Sequence, residues 1–453
     1  MEEMKFDDNI NTLESYDNRI IYNEMLNRKS HDAANQFLGE GLRAVETYSA
    51  EWYYGPLLAW TLQCIITSAG WKIVSINGHS YLRPIYRDVQ TDYTKVESCL
   101  TDGQILVEKD NLRLVIAVDT CKQGTNLIQI EASEKHYGRV KTLIHAIAGF
   151  LKTHNYYKGK KINFERGISF LNVGQRDWDS VILEPAMKQE IRLNTIGFLK
   201  NCARLGKYGI PPKRGIILAG EPGTGKTIVC KALISEADQI TCIAATAYGM
   251  ESERYISDLF AIARDLNPCM VFIEDVDFIG QERQDFYRGN APLISLLAEM
   301  DGITEQTAIV TVATTNNVET LDKALSERPS RFDRVFRITR PNYQQRVELV
   351  KHISEQIPLS ENVREYIVKE TNGFTPAQIQ EVLHGMVISH SDRTEESLQF
   401  KRSDVDSTIA LLNIRKNSTI GFSAIPYHYV NTGKEENRID AKSVTEEMTI
   451  VNP

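Results

Sequence analysis

Paired cysteines, clustered histidines and an excess of basic charge are all missing from this chain, and each absence removes a class of function. The seven cysteines (Cys64, Cys99, Cys121, Cys202, Cys230, Cys242 and Cys269) have no paired spacing and several lie in apolar runs, which suits reduced core thiols rather than disulfides or a zinc site. The nine histidines form no ligand-like group. A net charge of -8 argues against a protein that holds nucleic acid mainly through phosphate contacts, so no stable nucleic-acid binding is expected. No internal repeat or low-complexity tract is present. The start, Met1-Glu2-Glu3-Met4-Lys5, is acidic and lacks the regions of a signal peptide, which leads to the expectation of a cytoplasmic protein. Charge is also absent from Trp52 to Trp71, nearly the length of a membrane span. Pro56, Thr61, Gln63, Thr67 and Ser68 dilute that window, while Leu58, Leu62, Ile65, Ile66 and Ala69 recur at helical spacing. A buried face of a soluble helix is therefore expected, with a membrane span as the alternative.

What is present is ordinary globular composition, 42% hydrophobic and 25% charged over 453 residues, enough for about three domains. Residues 1–50 read as a polar segment. Residues 51–163 read as an α+β domain for binding a partner or client, with the helix just described followed by strands at Lys72–Ile76, Gln104–Glu108, Leu112–Asp119 and Leu127–Ala132. Val140, Leu143, Ile144, Ile147 and Leu151 then step along a helix. The lysine run Lys158-Gly159-Lys160-Lys161 reads as a solvated linker and places a boundary at 163. Residues 417–453 are polar and read as an extended or disordered tail.

The most informative stretch is Gly220-Glu221-Pro222-Gly223-Thr224-Gly225-Lys226-Thr227, followed by Ile228. Its glycines let successive backbone N–H groups turn inward on phosphate oxygens, and the loop opens onto a helix whose N-terminal dipole favours the same charge. Lys226 would reach the β and γ phosphates and Thr227 would ligate Mg²⁺. A chance glycine loop is the competing reading. It is weakened by context, since Arg214–Ala219 before the loop reads as a buried strand and Ile228–Ile234 after it as helix. Downstream, Pro268–Asp277 is an apolar strand ending in acids, which by itself is equally a buried strand with polar capping.

At this point the chain resembles the AAA family of ATPases from about Trp178 to Arg415. The resemblance is carried by Gly209–Gly215, the phosphate loop, Leu296–Gly302, Ala313-Thr314-Thr315-Asn316, and Leu321–Leu325 through Arg331-Phe332-Asp333-Arg334. It implies an α/β P-loop NTPase: a three-layer αβα core over 164–340 with a small helical lid over 341–416, preceded by the α+β domain. It implies ATP and Mg²⁺, with Glu274 and Thr227 on the metal, Asp275 activating water, and Asn316 holding that water against the γ-phosphate. Arg331 and Arg334 match the arginines that reach a neighbouring subunit's nucleotide, which implies a homo-oligomeric ring, usually a hexamer. Read without the family, each is better taken as a surface cation. Tyr248 and Met250 match the central-pore loop, though glycine and methionine are exchanged, and Tyr248 is otherwise a core tyrosine. Gln281 to Asn290 would form a second pore loop. In the lid, Tyr343–Ile357 and Glu361–Thr371 have helical spacing, Thr375–Gln378 reads as a capping box, Ala377 stands at the second-sensor position against the nucleotide, and a last helix is expected over Asp404–Leu412.

The acids at the strand end stand in the order Glu274-Asp275, the reverse of the usual family order, and alternation along a strand prevents a simple exchange of roles without a local shift. That order, with Trp178–Ile182 and Phe198-Leu199-Lys200, resembles the branch containing the mitochondrial translocase for the Rieske iron–sulfur subunit. The expected function is an ATP hydrolase that remodels, unfolds or translocates a protein client. Membrane association is not expected, and two alternatives stay open: a machine that moves or disassembles folded partners at a membrane, and a nucleotide-switched scaffold with little turnover.

Overall fold

A computed structural model describes residues 33–78, 83–120, 126–174, 177–246, 250, 252–279, 291–302, 307–316, 332–391 and 399–417. Two sheets organise them. The first consists of β1 (Arg43–Ala50), β2 (Lys72–Asn77), β3 (Ile85–Gln90), β4 (Val96–Lys109), β5 (Leu112–Asp119) and β6 (Asn126–Ser133), in the order β1-β6-β5-β4-β2 with β3 also on β4. Every pairing in it is antiparallel. Asp110 and Asn111 join β4 to β5 as a two-residue turn with φ of 48° and 62°, a left-handed pair that short polar side chains tolerate and that matches strand twist. The four strands expected from alternation are present. β1 and β3 were not expected, because neither carries a run or alternation of apolar residues; the residues they bury are Ala44 and Val89 respectively.

The uncharged window forms a single turn of 3₁₀ helix, Trp52–Tyr54, then the helix Gly55–Ser68. Leu57 and Leu58 are fully buried and Leu62 nearly so, packed with the helix Tyr137–Thr153 and the inner residues of β4 to β6. Burial on several sides explains the apolar run without a bilayer. Among the described residues no helix is long and apolar enough to cross a membrane. Asn126 fixes the helix start by donating from Nδ2 to the carbonyls of Glu51 (2.7 Å) and Trp52 (2.9 Å). Gly55 is required there, since a Cβ would lie 2.6 Å from Asn126 Oδ1.

The second sheet holds β7 (Lys161–Phe164), β8 (Ile168–Phe170), β9 (Lys213–Ala219), β10 (Thr241–Thr246), β11 (Cys269–Glu274), β12 (Ile309–Thr315) and β13 (Arg334–Arg337), in the order β13-β9-β12-β11-β10-β7-β8. It is parallel except for the β7–β8 hairpin. Its central strands are buried on both faces, as parallel strands between helices must be. The helices Glu253–Asp265 and Ala291–Asp301 share one apolar cluster with the sheet, and Lys226–Glu236 with Pro185–Gly206 supply the other. The fold is thus the three-layer αβα arrangement of a P-loop NTPase, preceded by an α+β unit. The helices Tyr343–Ile353, Glu361–Glu370, Pro376–Ile388 and Arg402–Asn417 enclose a separate small core. Thr375 and Gln378 form the expected capping box, and Asn342 with Gln345 forms a second one.

The boundary expected at 163 falls inside β7, which pairs in parallel with β10. Two of the run's lysines are structural: Lys160 pairs with Asp92 of the first unit at 2.9 Å, and Lys161 donates to the carbonyls of Ala237 and Ile240 within the second, while Lys158 is exposed. The polar reading of 1–50 likewise does not extend to Arg43–Ala50, which is sheet. Residues 1–32 and 418–453 lie outside the described set.

The α+β unit is bonded to the ATPase-like core through the helix Glu253–Asp265. Trp52 Nε1 donates to Asp258 at 2.7 Å and the Tyr54 hydroxyl to Asp265 at 3.3 Å. Phe164 stacks on Tyr255 with ring centroids 4.8 Å apart and meets Trp52 at 5.9 Å, and one continuous apolar cluster runs through both units. Truncating this fully buried ring in Phe164→Ala is expected to lower stability by about 3–5 kcal/mol. It should also split a single calorimetric unfolding transition into two; a single transition at the wild-type midpoint would contradict the shared core.

Candidate active site

β9 runs buried to Ala219 and ends at Gly220, where a Cβ would sit 2.2 Å from the carbonyl oxygen of Ile338, so no side chain is possible. Gly223 (φ 80°) and Gly225 (φ 105°) take left-handed conformations that free the loop to curl. Thr224 is buried and donates to the Glu221 carbonyl at 2.8 Å, which closes the curl. The helix Lys226–Glu236 then begins with no side chain capping its first amides. An uncapped N-terminus at the mouth of a glycine loop is suited to an anion.

Lys226 is only 6% exposed, and its ammonium donates to Gly220 O (2.7 Å), Glu221 O (3.0 Å) and Asn316 Oδ1 (2.7 Å). All three acceptors are neutral oxygens. Burial lowers the Lys226 pKa, opposed by the charges of Asp275 and Asp277. Asn316 stands just past the end of β12 and passes the line on: its Nδ2 donates to Asp275 Oδ1 at 3.1 Å and its backbone N–H to Asp277 Oδ1 at 3.3 Å. Lys226, Asn316 and Asp275 therefore form one hydrogen-bonded line across the tops of three neighbouring strands.

The reversed acid order is resolved by the backbone. β11 stops at Glu274, and Asp275 turns into a left-handed conformation with φ 54°, its N–H held by Thr314 Oγ1 at 3.0 Å. The two acids thus escape strand alternation, and Asp275 meets the asparagine. Glu274 instead lies half-buried along the helix Lys226–Glu236, within electrostatic reach of Lys231 and Cys230. Lys231 is one helical turn beyond Thr227, on the same face. Burial first, and then the charge of Asp275, hold the Glu274 carboxyl above its ordinary range. A divalent cation would relieve both effects at Glu274, and the expected metal pair, Thr227 and Glu274, lies at the start of the helix Lys226–Glu236 and at the end of β11.

Ala377, in the first turn of the lid helix Pro376–Ile388, donates its N–H to Gly223 O at 3.1 Å, so the lid touches the phosphate loop directly. Ile228 is 37% exposed beside that loop. Arg334 is exposed at the start of β13, while Arg331, Tyr248 and Gln281–Asn290 lie outside the described residues. Met250 does not face a channel: it is 1% exposed and packs in the main core, where an apolar side chain anchors the chain ahead of the helix Glu253–Asp265. Three contributors went unmarked in the sequence. Thr314 lay within a quoted motif, and its hydroxyl two residues before Asn316 was the available signal. Asp277 was read only as part of an acidic run, and Ile338 left no signal, since it acts through its backbone.

The raised Glu274 pKa has a stability consequence with a definite sign. The folded state holds the proton more tightly than the unfolded chain, so wild-type stability falls as pH rises from the ordinary glutamate value of about 4.3 to the raised one. Glu274→Gln removes that fall. In nucleotide-free thermal melts the variant should be the more stable protein at neutral pH, with the gap closing on acidification through this window; a gap independent of pH would refute the assignment.

Residues 216–340 match the family described as ATPase family associated with various cellular activities (AAA). Curated relatives include the ATP-dependent zinc metalloprotease FtsH of Mycoplasma genitalium, 33% identical over 232 residues, covering 48% of this chain and 33% of that protein. FtsH 3 of Sorangium cellulosum is 37% identical over 216 residues, 45% of this chain and 35% of the relative. FtsH of a Synechococcus strain is 35% identical over 229 residues, 48% and 36% respectively. The chain thus spans about a third of the length of these relatives. The zinc protease in their names is a property of those proteins; among the described residues here no group of three or more His, Cys, Asp or Glu is placed to hold a metal. With the loop, the acids and the asparagine assembled at the strand ends, the match identifies residues 216–340 as an AAA ATPase domain.

Proposed function

We propose that this protein hydrolyses ATP at sites shared between neighbouring protomers of a ring and uses the cycle to remodel a protein client. The observation that carries the reading is the buried Lys226 ammonium, surrounded by neutral oxygens at an uncapped helix N-terminus and already linked through Asn316 to Asp275. An anion of high charge is the ligand that such a site lacks. When the triphosphate enters, the phosphate oxygens take the place of the Gly220 and Glu221 carbonyls on Lys226. Asn316, released from the lysine, holds a water beside Asp275. The water oxygen bonds to the γ-phosphorus, the bond from that phosphorus to the bridging oxygen breaks, and ADP leaves with the electron pair. Asp275 takes the proton. Mg²⁺ bound by Thr227 and Glu274 would neutralise phosphate oxygens.

Arg334 supports a shared site by position. β13 pairs with β9 so that Arg337 lies beside Ala219, at the mouth of its own loop, and Arg334 beside Ile216. Three residues of strand, roughly 10 Å, separate Arg334 from that mouth. An exposed guanidinium set back from its own nucleotide is suited to an adjacent subunit's, as the family resemblance implies for Arg331 as well. A guanidinium supplied in trans contributes about 10³–10⁵ in phosphoryl-transfer rate. The client end of the machine would be Tyr248, which precedes in sequence the helix bonded to the α+β unit, and that unit would select the client.

Phosphate release from mixed variants tests the shared site. Lys226→Ala and Arg334→Ala should each be nearly inactive alone, and an equimolar mixture allowed to reassemble should regain activity in about a quarter of its sites, those pairing an intact loop with an intact neighbour. No recovery on mixing, or full turnover by a monomer, would overturn the ring reading.

A further inference from the structure

Glu221 is out of place electrostatically: it puts a carboxylate second in a loop suited to a highly charged anion. The structure supplies a compensation. Arg340 donates from Nε (2.9 Å) and Nη2 (2.7 Å) to Glu221 Oε2, and its Nη1 donates to the carbonyl of Gly373 at 2.8 Å. Arg340 sits at the hinge, two residues after Ile338, whose N–H bonds to Ala219 O at the end of β9, and two residues before Asn342, which caps the first lid helix. Gly373 lies in the turn that leads to the Thr375 cap of the helix Pro376–Ile388 and takes φ 78°. One guanidinium thus touches the phosphate loop and the lid at once, alongside the Ala377-to-Gly223 bond between the same two elements.

We propose that Arg340 is a positioning residue that cancels the charge of Glu221 and ties the phosphate loop to the lid, so that loop and lid answer the nucleotide together. The inference rests on the reading of Gly220–Thr227 as the ATP phosphate loop. It assigns two separable jobs to one side chain. Neutralisation acts on ATP affinity, because an unpaired Glu221 carboxylate repels the incoming phosphates. The tether acts on turnover, because lid movement then reaches the loop. Both side chains are about half exposed, 52% for Arg340 and 56% for Glu221, so the charge effect is screened by salt.

The test uses the full chain with Arg340→Ala, Glu221→Gln, the double variant, Arg340→Lys and Lys226→Ala, measuring fluorescent ATP-analogue binding and steady-state phosphate release at low and physiological salt. Arg340→Ala is expected to weaken binding by about two- to fivefold at low salt, less at higher salt, and to lower kcat. The double variant should recover the affinity and keep the lowered kcat, since charge is balanced again while the lid contact is still missing. Arg340→Lys, which keeps the charge without the fork that spans both acceptors, should bind ATP as wild type does with reduced kcat. Unchanged affinity and kcat in Arg340→Ala, or a double variant that binds no better than Arg340→Ala, would overturn the proposal. Failure of the underlying reading is distinguishable: Lys226→Ala would then still bind the analogue, whereas a Lys226→Ala defect beside an indifferent Arg340→Ala defeats the clasp alone.

Discussion

A buried ammonium with no carboxylate in direct contact is the constraint around which the site is arranged. Gly220, Glu221 and Asn316 turn three oxygens toward the Lys226 ammonium, with the charges of Asp275 and Asp277 in support. Gly220 can approach because it has no side chain to strike Ile338. Asn316 is delivered by β12, a strand buried along its whole length between β9 and β11. Asp275 completes the line because β11 ends one residue earlier and Thr314 holds the turn. Neutral oxygens compensate an ammonium less well than an anion does, so a phosphate is the stronger partner for Lys226.

The site's membership was legible in the sequence, and its geometry was less so. The loop, the acids, the asparagine and the lid alanine are all nameable from spacing and resemblance, and the structure brings Lys226, Asn316, Asp275 and Ala377 into one region. What spacing could not supply is how Glu274 and Asp275 part company, because that depends on a left-handed residue stabilised by a hydroxyl from another strand. The Met250 assignment failed for a related reason: motif register says which residue follows which, while burial is decided by what the neighbouring helix packs against. Glu221 was named only as a loop member, since its partner Arg340 is 119 residues away.

Fold legibility followed the apolar pattern of each strand. β4, β5 and β6 carry alternating or continuous apolar residues and declare themselves, whereas β1 and β3 have so few inward residues that composition hides them. Lys158 to Lys161 misled because a lysine cluster looks alike whether it is solvated or spent on carbonyls and a carboxylate. Only contacts distinguish the two, and here Asp92, Ala237 and Ile240 use the charges.

The aromatic junction of Trp52, Phe164 and Tyr255 has a further implication for descent. A pendant recognition unit on a flexible tether can be traded between motors by recombination, since neither side depends on the other's surface. Here the helix Glu253–Asp265 of the AAA domain packs against residues of the α+β unit, and a different unit in that place would leave its apolar flank uncovered and two aspartates, Asp258 and Asp265, without these donors. Substitutions at Trp52, Phe164 and Tyr255 are therefore energetically coupled, because each ring packs against another across the junction.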